Sequence, residues 1–93
     1  MYQKSFTKRF KKSTRKIIRS GNIKREHLES LIDLLASGKN IDPKYRDHAL
    51  VGDFLGYREC HLKPNVLLVY KIEKKILVLI LINIGSHAEL FGK

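Results

Sequence analysis

The strongest constraint on this chain lies between residues 57 and 84, where the spacing of apolar residues stops being helical. Tyr57 to Leu62, Val66 to Ile72 and Ile76 to Ile84 are rich in β-branched and aromatic residues, which suit strands. Lys63-Pro64-Asn65 and Glu73-Lys74-Lys75 separate them and read as hairpin turns. Three strands so joined are an antiparallel meander. Ile76 to Ile82 is apolar without a break and is expected to be the central strand, covered on both faces. Its seven residues are far too few to cross a bilayer.

Upstream the period is helical. At about 100° per residue, Phe6, Phe10, Ser13 and Ile17 share one face of a wheel. Lys8, Lys11, Lys12, Arg15, Lys16 and Arg19 cover the opposite face, and Ser20-Gly21-Asn22 ends the helix. A second helix, roughly Lys24 to Ala36, repeats Leu28, Leu31, Ile32 and Leu35 at i, i+3, i+4 and i+7 and stops at Ser37-Gly38. The short break between the two predicts an antiparallel helical hairpin, with His27 on its surface. Residues 2–5 are a candidate edge strand. Residues 38–56 hold three of the six glycines and read as connector, with one short strand around His48 to Val51. The order predicts a single α+β domain over residues 1–93, its N-terminal helical hairpin packed on a small antiparallel β-sheet. A chain of 93 residues suffices for one such core.

The charge is segregated. Nineteen Lys and Arg oppose nine Asp and Glu, and ten of the nineteen precede residue 26, where no acid occurs. That density points to a polyanionic partner. The narrow apolar face of the first helix suits docking on a core better than lying in a membrane surface, so no membrane partner is read. Cys60 is the single cysteine, which excludes an internal disulfide and fits a reducing cytoplasm. It is expected to be a small packed residue in a strand rather than a nucleophile. Residues 1–20 are basic and lack the apolar stretch of a secretory leader.

Three of the four histidines, His48, His61 and His87, fall in the C-terminal half. Each alone reads as a surface or hydrogen-bonded residue. Together they suggest either a metal site or acid–base chemistry. The spacings contain neither HExxH nor CxxC, so the metal reading is weakly signalled, and no metal or cofactor is assigned. Two imidazoles can act as general base and general acid near neutral pH. RNA is the substrate for which that pairing suffices, because its 2′-hydroxyl is an internal nucleophile.

Four segments taken in order resemble a known family. "DHALVG", "YRECHLKP", "LLVYK" and "GSHAELFG", following the basic helical hairpin, are similar to the YafQ-type branch of the RelE/ParE toxin superfamily over nearly the whole chain. The resemblance implies a RelE-like fold. It also implies a bacterial, cytoplasmic type II toxin that cleaves mRNA without a metal, typically on the translating ribosome, and that a cognate antitoxin silences. Position by position it carries catalysis to His48, His61 and His87, and contacts to substrate or transition state to Arg58, Glu59 and Phe91. The basic helix, through Lys8, Lys11, Lys12, Arg15, Lys16 and Arg19, would hold RNA phosphates.

Asn65 and Asn83 depart from the pattern. They fall in the same polar set, but the family often has an acid followed by tryptophan at 65 and 66, and arginine at 83. Asn65 cannot accept a proton, and Asn83 lacks the charge that steadies a phosphorane, unless Arg58, Arg46 or Lys63 supplies it. Arg58 and His61, an odd number apart, point to opposite faces of a regular strand, so Arg58 also reads as structural or paired with Glu59. Two alternatives share the charge and part of the pattern: a non-catalytic basic RNA- or ribosome-binding module, and a ParE-like toxin that inhibits gyrase. The "SHAELFG" tail disfavours the second.

Overall fold

The computed structural model describes residues 1–92. The elements are β1 (Gln3–Phe6), α1 (Lys8–Arg19), α2 (Arg25–Ser37), β2 (His48–Ala49), β3 (Arg58–Lys63), β4 (Val66–Glu73), β5 (Val78–Gly85) and α3 (His87–Phe91). Five strands form one sheet in the order β1-β5-β4-β3-β2. Every pairing is antiparallel except β1 with β5, which is parallel. The two long helices pack on one face and close the core. Phe10, Leu28, Leu31, Ile32 and Leu35 meet Cys60, Leu62, Leu68, Tyr70, Leu79 and Leu81 there. The α+β class and the helical pair on a small sheet are as the sequence predicts.

Three local expectations are corrected. Phe6 is not on the first helix. It ends β1 and is 41% exposed, because Thr7 caps α1 and the helix starts at Lys8. The buried side of α1 is therefore Phe10, Thr14 and, in part, Ile17 and Ile18. Ile76 and Leu77 belong to the turn before β5 and are exposed. Leu77 takes a left-handed φ of 54°, which breaks the strand, and its carbonyl accepts the Gln3 N–H at 2.8 Å to begin the β1 pairing. The central strand is β4, not β5. Residues Val66 to Tyr70 are all buried, whereas Val78, Ile80 and Ile82 are only half-buried because no helix covers their face.

The sheet's second face is set by register. His48 pairs with Glu59, Glu59 with Val69, and Val69 with Asn83, so one row of side chains crosses β2, β3, β4 and β5. His61, Leu67 and Gly85 form the neighbouring row. Leu67 and Val69 are buried yet stand outside the core cluster under the helices.

One extra residue in β5, Ile82, lies between the Val69–Asn83 and Tyr70–Leu81 pairs and forms a bulge. Its carbonyl is not orphaned. The Thr7 hydroxyl donates to it at 2.7 Å while accepting the Phe10 N–H at 3.0 Å. A single side chain thus caps α1 and pins the bulge that aims Asn83.

Candidate active site

The centre of the open face is Glu59. Its side chain is buried, and a buried carboxylate requires polar partners. Two imidazoles provide them: His61 Nε2 is 3.3 Å from Oε1, and His48 Nε2 is 3.7 Å from Oε2. The two rings lie 6.5 Å apart between centroids. His48 is fixed from behind, because its Nδ1 donates to the Arg46 carbonyl at 2.7 Å. Arg46 reaches that position with a left-handed φ of 52° after the short helical turn Pro43–Tyr45. The exposed Nε2 edge of His48 is thereby turned towards Glu59 and the surface. His61 Nδ1 is buried without a hydrogen-bond partner among the described residues.

His87 belongs to the same end of the sheet but not to the same contact. It opens α3, directly after Gly85 of the His61 row and Ser86. At ordinary strand spacing that row places β5 about 10 Å from β3. α3 is short and is held by reciprocal capping. Ser86 Oγ accepts the Glu89 N–H at 3.2 Å, and Glu89 Oε1 accepts the Ser86 N–H at 2.8 Å. The Ser86 hydrogen bonds hold the Glu89 carboxyl below the usual carboxylate range. Gly85 makes room for this: a Cβ there would come within 3.1 Å of Glu89 Oε1.

The His87 ring is exposed and sits 4.9 Å from Phe91, one turn on. Phe91 in turn meets Phe54 edge-on at 4.9 Å, with the ring planes at 90°. Phe54 comes from the connector, where no periodicity marks it, and sequence reasoning missed it. Leu90 is partly buried beside them.

The other expected residues divide. Asn65 is exposed at the β3–β4 turn. Asn83 is half-buried, and its Oδ1 accepts the Ile84 N–H at 2.9 Å. Lys8, Lys11, Lys12, Arg15, Lys16 and Arg19 are all exposed on α1. Arg58 is not in the site. It pairs with Tyr70 across the ladder and so lies on the helix side, opposite Glu59 and His61. Its Nε donates to Asp47 Oδ1 at 3.3 Å, and the Tyr70 hydroxyl donates to the same oxygen at 2.6 Å. Arg58 is therefore structural, and its partner is Asp47 rather than Glu59. Cys60 faces the core as expected. Burial first, then the nearby Asp47 and Glu59 charges, push its thiol up to about 12, which removes it as a nucleophile at neutral pH.

A small basic α+β domain with a helical pair on a five-stranded sheet is the fold of solved YafQ toxins, one of which superposes with a TM-score of 0.88 at 26% identity over 99% of this chain and 100% of that one. Residues 2–92 match the family model described as "Bacterial toxin of type II toxin-antitoxin system, YafQ", and the chain belongs to that family. It is 44% identical over 48 residues to the mRNA interferase toxin YafQ of Escherichia coli strain K12. That stretch spans 52% of the chain and 50% of the relative. Among solved structures, a metal-bound toxin from Helicobacter pylori superposes with a TM-score of 0.91 at 40% identity, covering 98% of this chain and all (100%) of that one. YafQ in the E. coli DinJ–YafQ complex superposes with a TM-score of 0.86 at 27% identity, covering 99% and 100%. Among the described residues of this chain no group of three or more His, Cys, Asp or Glu side chains is arranged to hold a metal.

Proposed function

We propose that this protein is the toxin of a type II toxin–antitoxin pair and an endoribonuclease that cleaves mRNA by histidine acid–base catalysis, on the translating ribosome. The observation that carries the reading is Glu59, buried between His48 and His61 on the face that continues to His87. A carboxylate so placed orients imidazoles and steadies the imidazolium formed when one takes a proton. It is itself too buried to reach RNA, so Glu59 positions and the histidines react.

The reaction needs one proton removed and one delivered. A base takes the 2′-hydroxyl proton, the 2′-oxygen attacks phosphorus, and an acid protonates the departing 5′-oxygen. This leaves a 2′,3′-cyclic phosphate and a 5′-hydroxyl, with no external nucleophile. The Glu59 pair, on β2 and β3, and His87, at the start of α3 beyond β5, come from separate elements and can serve the two ends of the scissile bond. Phe91, held by Phe54, offers a stacking surface beside His87. The basic face of α1 would hold mRNA and ribosomal phosphates. A cognate antitoxin would silence the toxin, as the E. coli relative is found with DinJ. Among the described residues no helix is long and apolar enough to cross a membrane. Action on ribosomes would place the toxin in the bacterial cytoplasm.

The test is cleavage of a 5′-labelled mRNA with and without translating ribosomes, beside His87→Ala and with EDTA on free RNA. Cleavage by the wild type, lost in His87→Ala, is the expected result. A folded wild-type protein that cleaves in neither setting sinks the enzymatic reading and leaves a binding module.

A further inference from the structure

Beside the histidine face, α1 and the β5–α3 junction enclose a cavity of about 440 Å³. Its walls carry Arg9, Lys12 and Lys16 from α1, with Asn65 and Asn83 opposite, and Ser86 leads from it to His87. The volume falls in the range of small-ligand sites. Its chemistry is one-sided. Three cations line it against a single carboxylate, Glu89, whose Oε1 is already taken by the Ser86 N–H. Asn83 Oδ1 is engaged by the Ile84 N–H, so the pole of that amide left for a ligand is the donor. The one ion pair across the cavity, Lys16 to Glu89 at 3.6 Å, joins side chains 79% and 55% exposed, which holds Lys16 only weakly. Three cations against one weakly paired carboxylate leave the cavity net positive, which suits an anion.

We propose that this cavity is an RNA subsite. Arg9, Lys12, Lys16 and the Asn83 amide hold a backbone phosphate beside the bond that is cut, and the exposed Asn65 amide faces the attached nucleoside. This rests on the endoribonuclease reading and deepens it. It also accounts for the missing charge at residue 83, because α1 supplies across the groove what the strand lacks, and Arg58 cannot. RNA is favoured over an acidic protein segment by the concavity, which has room for a nucleoside beyond the anion, and by continuity with His87 through Ser86.

The structure also divides the basic helix. Lys11 and Arg15 line a different groove, over Phe6 and Phe10, and do not reach this cavity. That gives a control on the same helix with the same charge removed. The probe is a short fluorescein-labelled 2′-O-methyl oligonucleotide, which cannot be cleaved, titrated at several salt concentrations. Lys12→Gln/Lys16→Gln is expected to reduce the slope of log K against log salt by up to about 0.7, the worth of the one single-strand phosphate contact these lysines share. Lys11→Gln/Arg15→Gln is expected to reduce it by less than half of that. Equal losses in the two pairs, or none in the first, overturn the subsite. So does displacement of the probe by an oligoglutamate of equal charge as readily as by unlabelled oligonucleotide, which would assign the cavity to an acidic protein. Because the probe has no free 2′-hydroxyl, the slope reports binding without cleavage. Failure of the cleavage assay would instead remove the enzymatic reading.

Discussion

Glu59→Gln separates the site from the fold more cleanly than any histidine substitution. Gln keeps the shape of the side chain and removes its charge, so Leu67, Val69 and the rest of the face need not move. The two oxygens now 3.3 Å and 3.7 Å from imidazole nitrogens become one carbonyl and one NH2. The amide can accept from one ring and must present N–H to the other, and it cannot stabilise an imidazolium as a carboxylate does. At such separations a charge pair is worth about 4 kcal/mol at an effective dielectric constant of 20. General acid–base assistance is worth about 10²–10⁴ in rate, and cleavage is expected to fall within that range. Stability at neutral pH is expected to change by less than about 1 kcal/mol, since a neutral amide is easier to bury than a carboxylate and this helps to offset the lost attraction. Urea unfolding and mRNA cleavage on the same samples decide the matter. A variant that cleaves within a few-fold of wild type while folding normally would refute the role of Glu59 as the positioning carboxylate. A variant that loses several kcal/mol would show instead that Glu59 is part of the fold.

Thr7→Val should remove the α1 cap and orphan the Ile82 carbonyl at the β5 bulge, at about 1 kcal/mol for the first and about 1–3 kcal/mol for the second. Thr7→Ser, which keeps both bonds, should unfold within about 1 kcal/mol of wild type, and equal urea midpoints for the two variants would count against the coupling of cap and bulge. Glu89 titrates below its ordinary value in the folded chain, so its contribution to stability is complete above the unfolded carboxylate pKa and is lost as pH falls through the lower folded one. In Glu89→Gln the part of the acid-side fall in stability due to this group should disappear, and an unaltered pH–stability curve would place the capping box outside the folding balance.

What the sequence disclosed follows the range over which each signal acts. Helical periodicity is local, and it placed Leu28, Leu31, Ile32 and Leu35 on the buried side of α2 and the six basic residues of α1 in solvent. Register is not local. The parity of residue numbers along β3 already set Arg58 against His61, but that Arg58 closes on Asp47 and Tyr70 depends on how residues 46–49 return to the sheet edge. The apolar run at 76–82 misled for a related reason. Its first two residues spend their hydrophobicity on a turn, and β5 borrows a neighbour from the N-terminus, so that β4, with less continuous apolar sequence, becomes the middle of the sheet. The site shows the same division. His48, Glu59, His61 and His87 were legible as residue types in a familiar order, whereas Phe54, Thr7 and Arg9 carry no motif. Their relevance comes from a ring contact, a bulge carbonyl and a cavity wall, each made between segments far apart in the chain. Asn83 joins the two kinds of information. The sequence marks it as a lost charge, and only the bulge held by Thr7 and the cations facing it across the groove indicate where that charge has gone.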